Sequence, residues 1–375
     1  MGKSPHDGGR RSPINLDAAP PRRAVQVGLA VRRGLRRSAD RLVPAEVLAY
    51  EQAISFFRTR VLGAIVELGV VDALNGGSRT AVDLATELEL DADTLHRVLR
   101  MAATFDAVEL DGDRFSLTAA GEALSSTHSP SIGPWVRYLN TDAVQRAWAA
   151  LPETVRTGEP SFPAVHGVST WDHFAANPEE ERTFANAMRE LSKLTLAWIV
   201  AGYPWPEQGV VCDVAGGSGP VLAAILNARP GLRGILVEAP GVLAEADRHL
   251  DEAGVRERVE LREGNMFERI EATADLYVLK DILHDYDDER SLQILRVVAE
   301  AMPRGARVVL VETILDRHET DPIGASIDLH MLTQCDGGRQ RSIGDLQELL
   351  RAAGLRPGAA KRTGGPGLVE GIAQE

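Results

Sequence analysis

The residues best suited to chemistry surround a glycine-rich turn in the second half of the chain. Gly216, Gly217 and Gly219 allow a sharp turn and a close approach of the backbone to a ligand. Asp213 stands just before the turn, and Glu238 ends the next predicted strand, where a carboxylate can accept hydrogen bonds from a ribose. This arrangement predicts a nucleoside-cofactor site at the carboxyl end of a parallel sheet.

The details of this turn favour one class of cofactor. From Gly217 the pattern is Gly-x-Gly-x-x-Leu222, so the third glycine of a dinucleotide-binding turn is missing. Asp213 would repel a pyrophosphate, but it can bind the ammonium of an amino-acid moiety, directly or through water. S-adenosylmethionine carries such an ammonium and no phosphate. We therefore expect S-adenosylmethionine, with a turn that binds no ligand as the simpler alternative.

Three further polar clusters follow predicted strands and therefore belong at the same edge of the sheet, where ligands bind. Asn265 is placed to hydrogen-bond an adenine edge while Met266 packs on the face of the base. The clusters are Asn265 with Met266 after the third strand, Lys280 with His284 and Asp285 after the fourth, and Glu312 after the fifth. Their shared position favours one common site over three unrelated loops.

Alternating strands and helices must hold these clusters in place. We predict an α/β fold with a Rossmann-like, doubly wound sheet, closed by an antiparallel hairpin in the C-terminal tail. The predicted strands lie near 210–214, 234–238, 258–263, 274–280 and 307–314, and the predicted helices near 219–228, 241–253, 288–301 and 343–353.

The N-terminal half is predicted to be helical, with apolar residues at three-and-four spacing from Pro44 onward. Thr80 and Asp91 are N-cap residues of two short helices, and a hairpin around Asp111-Gly112 follows them. Together these elements predict a winged-helix unit. Acidic residues lead into its second helix, so we favour a dimerisation platform over a DNA-binding regulator.

Composition and charge set further limits. The net charge is −13, and ten basic against three acidic residues give residues 1–41 a charge of +7, so the remainder carries −20. Such an acidic body predicts no nucleic-acid partner. Without a long apolar run or an apolar signal core, we expect no membrane partner and a cytoplasmic location. Two distant cysteines exclude a disulfide framework.

These features predict four segments. Residues 1–41 are expected to be a disordered basic leader, and residues 42–128 a winged-helix dimerisation domain. Residues 129–206 are expected to form a helical linker and substrate-pocket region, and residues 207–375 the cofactor-binding catalytic domain.

The order DVAGGSG, VEAP, GNMF, LKDILHDYDDE, LVETIL and MLTQCDGGRQRS resembles the family of plant and bacterial small-molecule O-methyltransferases. Caffeic acid, hydroxyindole and polyketide-tailoring enzymes belong to this family, and the likeness covers roughly residues 45–375. The resemblance implies a homodimer that uses S-adenosylmethionine and methylates a hydroxyl, phenolic by family analogy, of a small aromatic secondary metabolite.

The resemblance also implies roles for individual residues. His284 takes the role of general base, and Glu312 that of the carboxylate that orients its imidazole. The glycine turn binds the methionine moiety, Glu238 the ribose, and Asn265 and Met266 the adenine. Lys280 matches a lysine near the cofactor, and Tyr286 replaces a tryptophan against adenine.

One departure from the family bears on the catalytic assignment. Its second catalytic glutamate is replaced by Gln340, which can orient an imidazole but carries no charge, so His284 is left with Glu312 or Asp285. Some bacterial relatives instead use histidines in this region to bind a metal and methylate the carbon of an α-keto acid. His284, His330 and a carboxylate are the candidate ligands for that alternative. We expect no metal. A member that has lost transfer activity is a further alternative, which the retained His284 and Glu312 disfavour.

Overall fold

The computed structural model describes residues 19–374. Residues 1–18 of the expected disordered leader lie outside the described residues. The expectation of disorder is wrong for the remainder of the leader, because Arg22–Asp40 form a helix, α1. Arginine, alanine and leucine are good helix formers, and apolar residues recur along one side of this segment at Val27, Val31 and Leu35. The basic composition suggested a solvated tail and masked this periodicity.

The chain divides into two compact units. The first contains Val27–Gln145 and Asn177–Leu191, and the second contains Arg146–Ala176, residues 19–26 and the chain from Ser192 onward. The helices that precede the large sheet are α1, α2 (Ala45–Ala53), α3 (Ser55–Glu67), α4 (Val70–Leu74), α5 (Ala81–Leu88), α6 (Ala92–Ala103), α7 (Ala119–Glu122), α8 (Gly133–Leu139), α9 (Asp142–Ala149), α10 (Leu151–Thr157), α11 (Ser161–His166), α12 (Thr170–Ala176), α13 (Pro178–Lys193) and α14 (Leu196–Gly202).

The first unit includes a small antiparallel sheet of β1 (Arg79–Thr80), β2 (Val108–Asp111) and β3 (Arg114–Leu117), in the order β1-β3-β2. The predicted N-caps are present: the side chain of Thr80 accepts a hydrogen bond from the Asp83 amide, and that of Asp91 accepts one from Thr94. The hairpin turns at Gly112, whose φ of 62° suits glycine. Two capped helices and a hairpin therefore stand where the sequence predicted them.

The second unit is built on a seven-stranded sheet in the order β6-β5-β4-β7-β8-β10-β9. Neighbouring strands from β6 to β8 pair in parallel, and β10 pairs antiparallel to both β8 and β9. The predicted doubly wound sheet with an antiparallel C-terminal hairpin is confirmed. The strands are β4 (Gly209–Val214), β5 (Leu232–Glu238), β6 (Val259–Glu263), β7 (Leu276–Lys280), β8 (Arg307–Glu312), β9 (Leu355–Arg362) and β10 (Gly367–Ala373).

Five helices connect these strands: α15 (Pro220–Ala228), α16 (Pro240–Glu252), α17 (Asp288–Ala301), α18 (Pro322–Gln334) and α19 (Ile343–Ala352). Pro220 lies in the first turn of α15, where its missing N–H costs no hydrogen bond. Helix α18 was not predicted. Its apolar residues are spread around the helix rather than confined to one face, so this segment shows no clear helical period.

Both faces of the large sheet are covered, which explains the nearly continuous apolar strands. Along β8, Val308 and Leu310 belong to one core, whereas Val309 and Val311 belong to the other. This alternation leaves only the strand ends available to bind a ligand. Within residues 19–374, the helices are all too short or too polar to cross a lipid bilayer.

Candidate active site

The polar clusters meet at the carboxyl edge of the large sheet, on both sides of its switch point. From β4 the chain proceeds outward to β5 and β6, then returns to place β7 and β8 on the other side of β4. Open α/β sheets bind ligands where the strand order reverses in this way. We call Asp213, Gly216, Gly217, Gly219 and Glu238 the cofactor side.

The glycine turn of the cofactor side has a steric reason for its sequence. A Cβ on Gly216 would lie 2.4 Å from the carboxyl carbon of Asp213, so this position accepts no other residue without movement. Gly217 and Gly219 have φ values of 59° and 79°, and the turn also holds Ala215 at a φ of 54°. These left-handed conformations strongly favour glycine. The turn is thus shaped to pass close to Asp213.

Asp213 is the most unusual carboxylate of the cofactor side. It is only 1% exposed, and neither of its carboxyl oxygens has a hydrogen-bond partner among the described residues. Burial and the nearby charge of Glu238 raise its pKa to about 7. An unpaired carboxylate at this depth calls for a cationic or hydrogen-bonding ligand. The ammonium of S-adenosylmethionine fits this requirement.

Glu238 ties the second strand to the glycine turn. Its Oε2 accepts a hydrogen bond from the Gly217 amide at 2.8 Å, and its Oε1 accepts one from the Ala239 amide at 2.8 Å. Burial raises the pKa of this carboxyl. The ribose contact of Glu238 remains a prediction, and it requires hydrogen bonds additional to those from the two backbone amides.

Asn265 and Met266 follow β6, as the sequence predicted. Asn265 uses both ends of its amide within its own loop, since Oδ1 accepts from the Phe267 amide at 3.0 Å and Nδ2 donates to Glu268 at 2.9 Å. Met266 is half-buried against the core. The adenine contact of Asn265 remains a prediction, and it requires a hydrogen bond additional to those that shape the loop.

Lys280 ends β7 and pairs with its neighbour rather than reaching away from the site. Its Nζ contacts the carboxylate of Asp281. Asp281 has a φ of 51°, and its amide donates to the Val311 carbonyl at 2.9 Å. The hydrogen bond to β8 holds this left-handed residue in place. The reversal of the chain at Asp281 directs the next residues into a short 3₁₀ turn, residues 283–285.

His284 lies in that turn, with its side chain 12% exposed. Its Nδ1 lies 3.0 Å from Nε2 of Gln340 and 3.6 Å from Oε2 of Glu312. Its Nε2 lies 3.5 Å from Oδ1 of Asp285. The four predicted catalytic residues are thus brought together. We call His284, Asp285, Glu312 and Gln340 the base side.

Opposing effects set the protonation of the base side. Burial alone would lower the pKa of His284, but the charges of Asp285, Glu312 and Asp281 raise it above its ordinary value. Burial raises the pKa of Asp285 to about 6 and also raises that of Glu312. One oxygen of Glu312 accepts from the amides of Ile282 and Leu283, at 3.2 and 2.9 Å. Glu312 therefore holds the turn, and its other oxygen lies near the imidazole without a hydrogen bond.

Arg341 supports the base side and was not predicted from the sequence. Its side chain is 2% exposed. Its guanidinium donates to the carbonyls of Leu283 and Tyr286 at 2.5 and 2.7 Å, and to Asp288 at 2.8 and 3.0 Å. This fork holds both ends of the turn that carries His284. The only sequence signal was the position of Arg341 next to Gln340.

The glycine pair before Gln340 allows its segment to approach that turn. A Cβ on Gly338 would lie 2.8 Å from the His284 carbonyl oxygen, and one on Gly337 would lie 2.7 Å from Cβ of Asp287. The Arg339 amide donates to the His284 carbonyl at 2.9 Å. The close packing of two backbones therefore fixes where Gln340 meets the imidazole.

His330 is buried in α18 and differs from His284 in its electrostatics. Its Nδ1 accepts a hydrogen bond from the indole N–H of Trp148 at 3.2 Å. Burial, with the nearby His284, lowers its pKa to about 4. The imidazole is therefore neutral near pH 7. Tyr286, expected beside adenine, is buried and packs edge-on against Phe267, with ring centroids 5.1 Å apart.

The carboxylates near His284 raise the question of a metal. Among the described residues, Asp281, His284 and Glu312 have potential ligand atoms within 4.8 Å of one another, and His330 is not in that group. The ammonium of Lys280 already balances the charge of Asp281. The set expected for a metal-dependent C-methyltransferase, with both histidines, is not assembled in this way.

Two protein-family models match this chain. The model of the O-methyltransferase domain matches residues 148–356, and that of the O-methyltransferase dimerisation domain matches residues 50–127. The O-demethylpuromycin-O-methyltransferase of Streptomyces alboniger is 36% identical over 308 residues, which cover 80% of this chain and 81% of the relative.

Solved structures agree as well. The structure of a mitomycin 7-O-methyltransferase superposes with a TM-score of 0.80 at 33% identity, and covers 91% of this chain and 100% of its own. An O-methyltransferase from neocarzinostatin biosynthesis, solved with S-adenosylmethionine and 2-hydroxy-5-methyl naphthoic acid, has a TM-score of 0.72 at 33% identity, with 84% of this chain and 95% of its own covered. The chain belongs to the S-adenosylmethionine-dependent O-methyltransferase family of secondary metabolism.

Proposed function

We propose that this protein methylates a phenolic hydroxyl of a small aromatic secondary metabolite, with His284 as the general base. The observation that carries the proposal is the position of His284 between carboxylates, with one nitrogen against Glu312 and Gln340 and the other near Asp285. An ordinary phenol has a pKa near 10, so it is mostly protonated at pH 7. Removal of its proton by Nε2 makes it a better nucleophile.

The carboxylates around His284 stabilise the imidazolium that forms when the proton arrives. Asp285 lies 3.5 Å from Nε2 and Glu312 lies 3.6 Å from Nδ1. Glu312 acts as a positioning residue because its other oxygen is held by two backbone amides of the same turn. General base catalysis of this kind contributes a factor of about 10²–10⁴.

S-adenosylmethionine supplies an electrophilic methyl group when it is bound. Asp213 would hold its ammonium, the glycine turn its methionine backbone and Glu238 its ribose, with Asn265, Met266 and Lys280 nearby. The unpaired oxygens of Asp213 support this assignment. These residues fix the position of the methyl donor relative to His284, and such positioning is a large part of catalysis for two reactants.

The test is transfer of labelled methyl from S-adenosylmethionine to a panel of phenols and α-keto acids, with and without a chelator. We expect labelled methyl ethers of phenols and no effect of the chelator. Labelled carbon-methylated keto acids that vanish with the chelator would instead support a metal-dependent C-methyltransferase and would overturn the assignment of His284.

We also infer a homodimer formed through the helical domain. The match to the dimerisation model supports it, as do aromatic side chains left exposed at the start of the matched segment: Tyr50 is 66%, Phe56 57% and Phe57 53% exposed. Exposed aromatic clusters mark protein interfaces. Sedimentation of the protein with all three residues changed to serine tests this inference, because the variant should sediment as a monomer.

The same domain favours dimerisation over DNA reading. Helix α6 is preceded by Asp91 and contains Asp93. The ring of His96 packs edge-on against Phe115. A DNA-reading helix needs a basic surface. We therefore expect no gel retardation of duplex DNA at low salt, and retardation would support the regulator alternative.

A further inference from the structure

The two ring nitrogens of His284 have different surroundings. Nδ1 faces Gln340 at 3.0 Å and Glu312 at 3.6 Å, and these two residues are only 7% and 2% exposed. Protein atoms therefore enclose Nδ1. Nε2 points the other way, toward Asp285. Nε2 is the nitrogen available to an acceptor hydroxyl, so catalysis requires the ring proton to reside on Nδ1 before the substrate reacts.

The amide of Gln340 determines which nitrogen holds that proton. When its NH₂ group faces Nδ1, as in the structure, Nδ1 must accept the hydrogen bond and the ring proton lies on Nε2. When its oxygen faces Nδ1, the proton lies on Nδ1 and Nε2 becomes basic. A half turn of the terminal amide interchanges the two arrangements with almost no change in shape. A carboxylate at this position would permit only the second arrangement.

Two buried oxygens give the second arrangement a driving force. Neither Oε1 of Gln340 nor Oε2 of Glu312 has a hydrogen-bond partner among the described residues. A buried acceptor without a partner is destabilising. Once the amide has rotated, the Nδ1–H tautomer gives Oε1 of Gln340 a donor, and Oε2 of Glu312 lies 3.6 Å from the same nitrogen. The Nε2–H tautomer gives neither oxygen a donor. The two arrangements therefore have nearly the same shape, so they can exchange, but they differ in which ring nitrogen of His284 is basic.

We propose that Gln340 acts as a tautomer selector, so that His284 is a base only while the amide oxygen of Gln340 accepts the Nδ1 proton. In that state the acceptor hydroxyl gives its proton to Nε2, which leaves a phenolate and an imidazolium with a proton on each nitrogen. This inference rests on the proposed function of His284 as the base. It makes Gln340 a positioning residue that acts through the imidazole.

The neutral amide has a second consequence, for the pH at which the base is available. The charged groups that face His284 are Asp285 from its own turn, Glu312 from the end of β8, and Asp281 with Lys280 from the end of β7. The charge of His284 lowers the pKa of His330 on α18. The thiol of Cys335 contacts Asp285. A further carboxylate at position 340 would add negative charge beside Nδ1 and raise the pKa of the imidazole further.

The first test is histidine-selective ¹⁵N NMR of the protein without cofactor, with the His284 signals assigned by their loss in His284→Ala. In the wild type we expect ring-nitrogen shifts averaged between the two tautomers. Gln340→Glu and Gln340→Met should both move the shifts toward the Nδ1–H tautomer, since each removes the competing NH₂ donor and leaves an acceptor near Nδ1. Only Gln340→Glu should raise the titration midpoint of His284, by about one pH unit.

The second test is the pH profile of kcat. Gln340→Glu should move the acid limb upward by about one pH unit and raise the plateau at high pH, because the reactive tautomer is no longer a fraction of the population. Gln340→Met should leave the limb in place. Gln334→Met serves as the matched control, since Gln334 is a buried glutamine outside the base side and should change neither the NMR shifts nor the limb.

Identical tautomer shifts and identical midpoints in the wild type, Gln340→Glu and Gln340→Met would overturn the selector. The two variants differ in charge and size, so a folding defect in one leaves the other to decide. If no phenol in the panel is methylated, the proposed function fails, yet the ¹⁵N titration of the cofactor-free protein still decides whether Gln340 controls the tautomer.

Discussion

The cofactor side comes from one continuous stretch, residues 209–239, whereas the base side comes from three segments that are distant in the chain. On the cofactor side, Asp213, the glycine turn and Glu238 are positioned by one strand–turn–helix–strand unit. On the base side, His284, Glu312 and Gln340 come from two strand ends and a glycine-containing turn. The cofactor side is therefore encoded locally, and the base side depends on how separate elements pack.

The two sides also differ in what they leave unpaired. Asp213 lacks partners for both oxygens, which suits a ligand that brings its own donors. Glu312 and Gln340 each lack a partner for one oxygen while their other atoms contact the backbone or the imidazole. The cofactor side thus awaits an external group, and the base side adjusts to an internal proton. Variants should separate these two functions.

The largest expected effect is on the base side. His284→Ala should lower kcat for phenol methylation by a factor of about 10²–10⁴, because the proton acceptor is lost. The dissociation constant for S-adenosylmethionine, measured by calorimetry, should change by less than about threefold, which corresponds to ~0.65 kcal/mol of binding free energy. His318→Ala, at an exposed histidine, is the matched control. Full activity in His284→Ala would contradict the assignment of His284 as the general base.

The next largest effect is on the cofactor side. Asp213→Asn should weaken S-adenosylmethionine binding by about 10–100-fold, since a charged hydrogen bond to the ammonium is worth about 1.5–3 kcal/mol. Titration of the free enzyme with the cofactor measures this loss, with the exposed Asp251→Asn as the control. Unchanged affinity would show that Asp213 has another partner and that the cofactor side is not organised around it.

Arg341 tests whether the base side depends on packing. Arg341→Met should lower the free energy of unfolding by about 1–3 kcal/mol, because the buried carbonyls of Leu283 and Tyr286 lose the guanidinium donor and keep only the Ser291 hydroxyl. Urea unfolding measures the change. Arg339→Met is a sharp control, since Arg339 binds the same Asp288 but is 53% exposed. A smaller effect from Arg341→Met than from Arg339→Met would contradict the support role.

The smallest expected effect is the pH dependence of cofactor binding. The pKa of Asp213 is about 7 in the free protein, and a bound ammonium favours the carboxylate and so lowers it. Affinity should therefore be greatest above pH 7 and fall by up to about tenfold per pH unit as the pH drops through 7. Calorimetry in two buffers should show proton release on binding near pH 7. Asp213→Asn should abolish both effects.

The pH dependence of turnover distinguishes the two sides once more. Because the pKa of His284 is raised, its imidazole stays protonated to a higher pH than an ordinary histidine. The neutral base is lost as the pH falls through that pKa, so the acid limb of kcat belongs above pH 6.5. A limb that survives in His284→Ala would belong to another group.

The sequence was most informative where structure is local. The β-branched run before the glycines, the three glycines and the acidic strand end predicted β4, the turn, α15 and β5 together with their ligand. The missing third glycine and Asp213 narrowed the ligand to S-adenosylmethionine, since a carboxylate just before the turn repels a pyrophosphate and can bind an ammonium. The helix N-caps at Thr80 and Asp91 were predicted equally well, because each depends only on one side chain and one nearby backbone amide.

The sequence-based predictions failed where a basic composition, or apolar residues distributed around a helix, obscured the helical periodicity. The arginine-rich leader suggested disorder, yet residues 22–40 are helical. Helix α18 was missed because its apolar residues lack a single face. Beyond its position next to Gln340, Arg341 had no sequence signal for its role, because its partners Leu283 and Tyr286 are far away in the chain.

The sequence by itself determined the succession of strands and helices along the chain, the cofactor and the identity of the residues that could act as base and orienter. Tertiary structure alone decided how they meet, because His284 on its 3₁₀ turn contacts Glu312 at a strand end and Gln340 after the Gly337-Gly338 pair. These three segments are brought together by packing. Whether Gln340 faces Nδ1 at 3.0 Å, and whether Asp213 is left without a partner, depends on the burial of these groups by distant elements. Local sequence carries no record of that burial, which only the folded chain creates.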